Sequence, residues 1–148
     1  MSESTQGKYC YDYPRPAVTV DVVVVTREEH PRVLLIKRKS DPFAGMWAIP
    51  GGFIEADEPL EAAARRELKE ETGVELEKIE QLGAFGDPRR DPRGRTISIA
   101  YLGQVDPALV KPCAADDAAE VGWHALSHLP RLAFDHDKIL ACARHYLA

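Results

Sequence analysis

The sequence predicts an α/β domain, on three observations. Val18–Val25 is β-branched and almost continuously apolar, the character of a buried central strand. Leu60–Thr72 consists almost wholly of good helix formers and is closed by Gly73. At the C-terminus, FDHDKILACARHYLA repeats Ile139, Leu140, Ala143 and Leu147 on one helical face, with Asp135 placed as the N-cap. Strand and helix order alone allows several ways of layering such elements.

Residues 1–8 read as a frayed tail. Tyr9, Tyr11 and Tyr13 then alternate ahead of Pro14 and Pro16, so a short strand-like arm presents three rings on one face. The arm either packs on its own domain or reaches across to a partner. After the central strand, Glu28–Arg32 forms a turn and Val33–Lys37 the return strand of a hairpin. Arg38, at the end of that strand, reads as a surface residue, with contact to a phosphate as the alternative. Pro42, Gly45 and Pro50 mark a loop, with Trp47–Ile49 as a short strand and Trp47 on the core side. Beyond the first helix, Ile79–Phe85 and Ile97–Val105 are strands. Between them GDPRRDPRGR carries Arg89, Arg90, Arg93 and Arg95, either a solvated turn or a group able to neutralise an anion by bidentate contacts. Asp106–Asp117 is a connection that ends in an acidic cluster, Asp116, Asp117 and Glu120, placed just ahead of a last strand, Val121–Ala125. His136 and His145 read as residues on the helix surface, because no second soft ligand stands at matching spacing.

With 148 residues, 45% of them hydrophobic, the chain has enough apolar side chains for one core. One domain, 1–148, is therefore expected, with residues 1–13 as an N-terminal arm. A net charge of −5 argues against a nucleic-acid-binding surface. Cys10, Cys113 and Cys142 are odd in number, widely spaced and form no CxxC pair, so a reducing cytoplasm is the expected compartment. No apolar run approaches the roughly 18 residues that span a bilayer, so no membrane role is expected.

The informative stretch is GGFIEADEPLEAAARRELKEETGV, from Gly51 to Val74. Glu67, Glu70 and Glu71 stand at i, i+3 and i+4 and share one helical face, separate from the apolar stripe of Leu60, Ala64 and Leu68. Like charges at i and i+4 cost a few tenths of a kcal/mol, roughly 0.2–0.5, and these sit near the negative end of the helix dipole. Arg65, Arg66 and Lys69 relieve part of that repulsion, which leaves two readings. Composition alone favours a solvated charged face; a hard divalent cation held by carboxylate oxygens accounts better for the cluster.

Read from Gly52, the segment runs glycine, five residues, Glu58, seven residues, then Arg66-Glu67-Leu68-Lys69-Glu70-Glu71-Thr72-Gly73-Val74. This resembles the signature of the nudix hydrolases and meets it at every fixed position. The resemblance implies an α/β/α sandwich, with a mixed sheet between two helices, and a metal-dependent hydrolase of nucleoside diphosphates linked to another moiety. It implies Mg²⁺ or Mn²⁺ held by Glu67, Glu70 and Glu71, with the Gly52 carbonyl as a further ligand. Arg66 would orient the carboxylates by charge-assisted hydrogen bonds, and Glu58 would support the junction of loop and helix. Glu70 and Glu71 would be catalytic as well as metal-binding.

FAGMWAIPGGF before the box, with GDPRRDPRGR, DDAAE and FDH after it, resembles the ADP-ribose pyrophosphatase branch of that family over about Arg15–His136. Pro88 is the candidate for a proline associated with that branch. The branch implies hydrolysis of ADP-ribose to AMP and ribose 5-phosphate, with Arg89, Arg93 and Arg95 as candidates to hold phosphate. A general base is implied on the loop ahead of the last strand, where Asp117 and Glu120 are the candidates. The partner implied is a small nucleotide, in a homodimer, with the tyrosine arm at the dimer contact or lining an adenine pocket. Two rival functions remain: a housecleaning hydrolase of nucleoside triphosphates or another nucleotide sugar, and a regulator that binds ADP-ribose without cleaving it. A regulator is expected to carry a degraded box and an added DNA-binding domain. Here the box is intact, and about a dozen residues follow His136.

Overall fold

The computed structural model describes residues 9–115 and 118–147. Seven strands form one mixed sheet: β1 (Ala17–Thr26), β2 (Arg32–Arg38), β3 (Trp47–Ala48), β4 (Gly51–Phe53), β5 (Glu80–Phe85), β6 (Thr96–Val105) and β7 (Ala118–Ala125). Helix α1 (Leu60–Thr72) follows β4, and α2 (His136–Leu147) ends the chain. The sheet runs β3-β2-β1-β6-β5, with β4 added on β1 and β7 on β2. β1 and β6 are parallel from Ala17↔Thr96 to Thr26↔Val105, and the other pairings are antiparallel.

Side-chain alternation along β1 sorts the two cores. Val20, Val22 and Val24 pack with Ala63, Ala64 and Leu68 of α1. Val23 and Val25 point the other way and meet Ile139, Leu140 and Ala143 of α2. A strand buried on both faces needs the continuous apolar run seen in the sequence. The result is the three-layer sandwich expected. Leu68 is 1% exposed at the centre of the first core, where truncation to alanine costs about 2–5 kcal/mol.

Helix α1 begins after Pro59, whose fixed φ suits the position, and no side chain caps it. It stops at Gly73, which adopts the left-handed conformation at φ 73° and returns its N–H to the Lys69 carbonyl.

The sheet divides at one seam. β1 and β2 meet at the Val25–Val33 register and then part. β3 pairs with the β2 side through Ile36↔Ala48, and β4 with the β1 side through Val20↔Gly52 and Asp21↔Gly51. Ile49 and Pro50 cross the gap, and the Val22 N–H donates to the Pro50 carbonyl at 2.9 Å.

Several expectations need correction. The last strand starts at Ala118, so Glu120 stands within it, opposite Lys37. Tyr9, Tyr11 and Tyr13 do not form a strand. Asp135 does precede α2, but its carboxylate goes to a buried arginine. His136 is buried at 4% exposure, because the first turn of α2 sits against the seam and not at the surface. Asp116 and Asp117 lie outside the described residues. Among the described residues no helix is long and apolar enough to cross a membrane.

Candidate active site

A cleft of about 870 Å³ opens where the seam parts. Its walls include Thr19 and Asp21 of β1, Ile36 and Arg38 of β2, the Ile49–Phe53 crossing, and Arg66, Glu67 and Glu71 of α1. Phe134 and His136 close it from the start of α2, and Arg90, Asp91 and Arg93 from the loop between β5 and β6.

Arg66 is the hub of the box. Its Nε and Nη2 donate to the two Glu58 oxygens at 2.6 and 2.9 Å, a bidentate pairing. Its Nη1 donates to Glu67 at 3.0 Å and to Glu70 at 3.2 Å, and Nη2 also reaches the Phe53 carbonyl at 3.2 Å. The guanidinium holds the Glu58 carboxyl below its usual range, and Glu58 in turn accepts the Glu55 N–H at 3.1 Å. One arginine therefore ties the loop before α1 to two carboxylates on the helix.

Glu67 turns inward while Glu70 stays at the exposed edge. Burial raises the Glu67 pKa, outweighing the opposing pull of Arg66. A Cβ on Gly52 would lie 2.5 Å from Glu67 Cδ, so only glycine lets the carboxylate rest against this backbone. Among the described residues no three His, Cys, Asp or Glu side chains are gathered at metal-ligating distance. The donors nevertheless fit a hard cation in type: they are oxygen alone, and one, Glu67, is a half-buried carboxylate whose negative form a cation would favour.

The arginine-rich loop divides by role. Arg90 is buried and grips Asp135, its Nε 3.1 Å from each oxygen and its Nη2 2.7 Å from Oδ1. Arg93 pairs with the buried Asp91 at 2.8 Å, and its guanidinium carbon lies 5.0 Å from the Phe53 ring centre and 5.5 Å from that of Phe134. Burial would raise the Asp91 pKa, but the Arg93 bonds lower it further. Arg89 and Pro88 are exposed and outside the cleft lining, and Arg95 donates to the Gly86 carbonyl at 2.6 Å. Of the three arginines nominated from sequence, Arg93 stands in the wall.

Arg38 is in the wall too, not at the surface: its Nε donates to the Pro42 carbonyl at 2.8 Å and its guanidinium carbon lies 5.0 Å from the Phe134 ring. Phe134 packs against Phe43 at 4.7 Å between ring centres, and both have left-handed backbone, at φ 52° and 62°. Bulky side chains adopt that conformation at a cost, and such residues gather at ligand sites. Tyr9 and Tyr11 also line the cleft, with their rings stacked at 6.3 Å and Arg15 over Tyr11. Tyr13 is 81% exposed. Glu120 lies outside the lining, its carboxylate 3.6 Å from Lys37 Nζ.

Sequence alone does not mark Asp21 or His136 as cleft residues. The Asp21 carboxylate accepts the Ser98 hydroxyl, and His136 Nδ1 accepts the Ile49 N–H at 3.0 Å. The available signal was a charged residue inside a buried β-branched run, which requires an internal partner.

A family model described as "NUDIX domain" matches residues 15–142. The ADP-ribose pyrophosphatase of Methanocaldococcus jannaschii is 47% identical over 128 residues, covering 86% of this chain and 73% of that protein. The ADPR responsive transcriptional repressor NtrR of Acinetobacter baylyi is 35% identical, covering 87% of this chain and 53% of the repressor. Among solved structures, a MutT/nudix family protein from Enterococcus faecalis superposes with a TM-score of 0.84 at 35% identity, over 95% of this chain and 65% of that one. The NUDIX domain of Shewanella oneidensis NrtR complexed with ADP ribose gives 0.83 at 34% identity, over the whole of both chains. The chain thus spans about half the length of the A. baylyi repressor and just under two thirds of the E. faecalis chain.

Proposed function

The chain belongs to the nudix family, and from that premise we propose that it hydrolyses ADP-ribose to AMP and ribose 5-phosphate, with Mg²⁺ or Mn²⁺ bound at the box. The observation that carries this is the Arg66-centred cluster: Glu58, Glu67 and Glu70 tied to one guanidinium, with Glu67 against Gly52 at the cleft wall. A protein 47% identical is named for this activity, and a nudix domain 34% identical was solved with ADP ribose bound.

A bound Mg²⁺ or Mn²⁺ supplies Lewis-acid stabilisation of the charge that develops on the diphosphate oxygens. Gly52, Glu67, Glu70 and Glu71 are the residues proposed to hold it. The protein's own contribution is position and charge. Arg66 keeps the carboxylates in one arrangement before substrate arrives, so none must reorganise during the reaction. Arg93 and Arg38, each fixed by a second contact, face the cleft as donors for phosphate oxygens. The Tyr9–Tyr11 pair offers a stacking surface for adenine. A carboxylate engaged with a cation loses basicity, so the proton of the attacking water is assigned to Asp117, in the connection ahead of β7. Arg89, Arg95 and Glu120 would join only by moving toward a bound substrate. A homodimer with Tyr13 at the contact completes the proposal.

The test is a substrate panel scored by product. AMP and ribose 5-phosphate from ADP-ribose, in the presence of Mg²⁺ or Mn²⁺, support it. Pyrophosphate released from nucleoside triphosphates, with ADP-ribose untouched, transfers the site to the housecleaning class. Tight binding of ADP-ribose without turnover makes the protein a sensor.

A further inference from the structure

We propose that His136 is a positioning residue for the cation-handling side of the cleft, acting through Ile49 on Gly51 and Gly52 and through Gly52 on Glu67. The proposal rests on the reading above that this wall takes a divalent cation.

Each link is a contact. His136 is 4% exposed, and its Nδ1 accepts the Ile49 N–H at 3.0 Å across 87 residues of sequence. Because Nδ1 accepts, the neutral ring carries its proton on Nε2, which faces Asp21 Oδ1 at 3.7 Å. The other Asp21 oxygen takes the Ser98 hydroxyl from β6. Asp21 is in register with Gly51, and a Cβ on Gly51 would lie 2.4 Å from Asp21 Oδ1 and 2.1 Å from the Val20 carbonyl oxygen. The crossing strand is thus pinned by the imidazole at Ile49 and pressed against Asp21 at Gly51. One residue on, Gly52 meets the Glu67 carboxylate. Glycine at both positions leaves no side chain to absorb a shift, so a displaced crossing moves onto Glu67 directly.

A histidine that merely fills the interior differs from this one in a testable way. Here the element required is an acceptor at the Nδ1 position. Asparagine places its carbonyl there, whereas glutamine, equally polar, reaches the Nε2 position. The experiment compares His136→Asn and His136→Gln for equilibrium Mn²⁺ binding without substrate, read as free Mn²⁺ by electron paramagnetic resonance. Thermal melts and the Mg²⁺ dependence of ADP-ribose hydrolysis accompany it. Outer-shell partners typically alter metal affinity by about 10–100-fold, so the Gln variant is expected to weaken Mn²⁺ binding at least about tenfold, with Asn within about threefold of wild type. Equal affinities in the two variants overturn the proposal, as does a Gln variant that binds like wild type. If the Gln variant does not fold, Ser98→Ala takes its place by releasing Asp21 beneath Gly51; unchanged Mn²⁺ affinity there also overturns it. Wild-type protein that binds no Mn²⁺ would instead refute the cation site itself, a result distinct from either.

Discussion

Gly52 and Glu67 touch more closely than any side chain at position 52 would allow: a Cβ there would lie 2.6 Å from each Glu67 carboxylate oxygen. Gly52→Ala must therefore push Glu67 out of its place while leaving both cores intact. Mn²⁺ affinity and kcat for ADP-ribose are expected to fall about 10–100-fold, with thermal stability lowered far less than by a core truncation. Unchanged kcat would detach the Gly52 contact from the chemistry.

The box carboxylates and the proposed base are separable by isosteric variants. Excess chelator is expected to abolish ADP-ribose hydrolysis, and Mg²⁺ to restore it. Glu67→Gln, Glu71→Gln and Asp117→Asn should each lower kcat by orders of magnitude in a folded protein. Glu120→Gln should leave kcat close to that of wild type, because its carboxylate faces Lys37 outside the cleft. A collapse in Glu71→Gln with Asp117→Asn fully active would move the base onto α1.

Two neighbouring arginines should fail in opposite ways. Arg90→Ala strands a buried Asp135 carboxylate, a loss of about 3–5 kcal/mol that urea unfolding will show. Arg93→Ala removes a charged donor from the wall and should raise KM for ADP-ribose about tenfold, with a smaller change in stability. Arg89→Ala, at an exposed position, should change stability by less than about 0.5 kcal/mol. If KM is unaltered in Arg93→Ala, the guanidinium serves only Asp91.

His136 also sets a pH dependence of stability. Burial lowers its pKa; Asp21 pulls the other way and Arg90 reinforces burial, while more weakly Asp135 raises it and Arg38 lowers it. The folded state thus binds its proton at lower pH than the unfolded chain, whose histidine titrates near about 6.5. Stability is complete above that value. It falls as pH drops below it, by up to about 1.4 kcal/mol per unit, until the folded-state pKa is reached. His124 is also lowered by burial and contributes with the same sign, so the comparison must be with His136→Asn. Denaturant melts at pH 7.5, 6.5 and 5.5 should show a shallower decline in the variant. Parallel curves would remove His136 as the source.

Local rules carried much of the fold. Leu60–Thr72 and its Gly73 stop could be read because propensity, an apolar stripe and a left-handed cap all agreed. The box carboxylates were legible because their spacing is short and helical. The rest of the cleft depends on long-range contacts that no window contains. Arg90 and Arg93 stand three residues apart in one turn and both line the cleft, yet the first is buried on Asp135 while the second stays exposed. His136 falls by spacing on the face of Ile139, Leu140 and Ala143, but the backbone N–H it meets, that of Ile49, lies 87 residues away in sequence. Glu120 reads from sequence as a loop residue because β-propensity does not mark where pairing with Lys37 begins.

The crossing at the parted seam has one consequence for how the molecule breathes. Ile49, between two short strands, has its amide tied to His136, while the neighbouring Val22 and Ile54 amides are tied to Pro50 and Val18. Solvent deuterium should therefore enter these positions as slowly as it enters the middle of β1, although the segment looks like a loop. An opening that exposes Ile49 would have to release α2 from the sheet at the same moment. The floor of the cleft and the C-terminal helix would then unfold as one cooperative unit, with the arginine turn, held to Asp135 by Arg90, following α2.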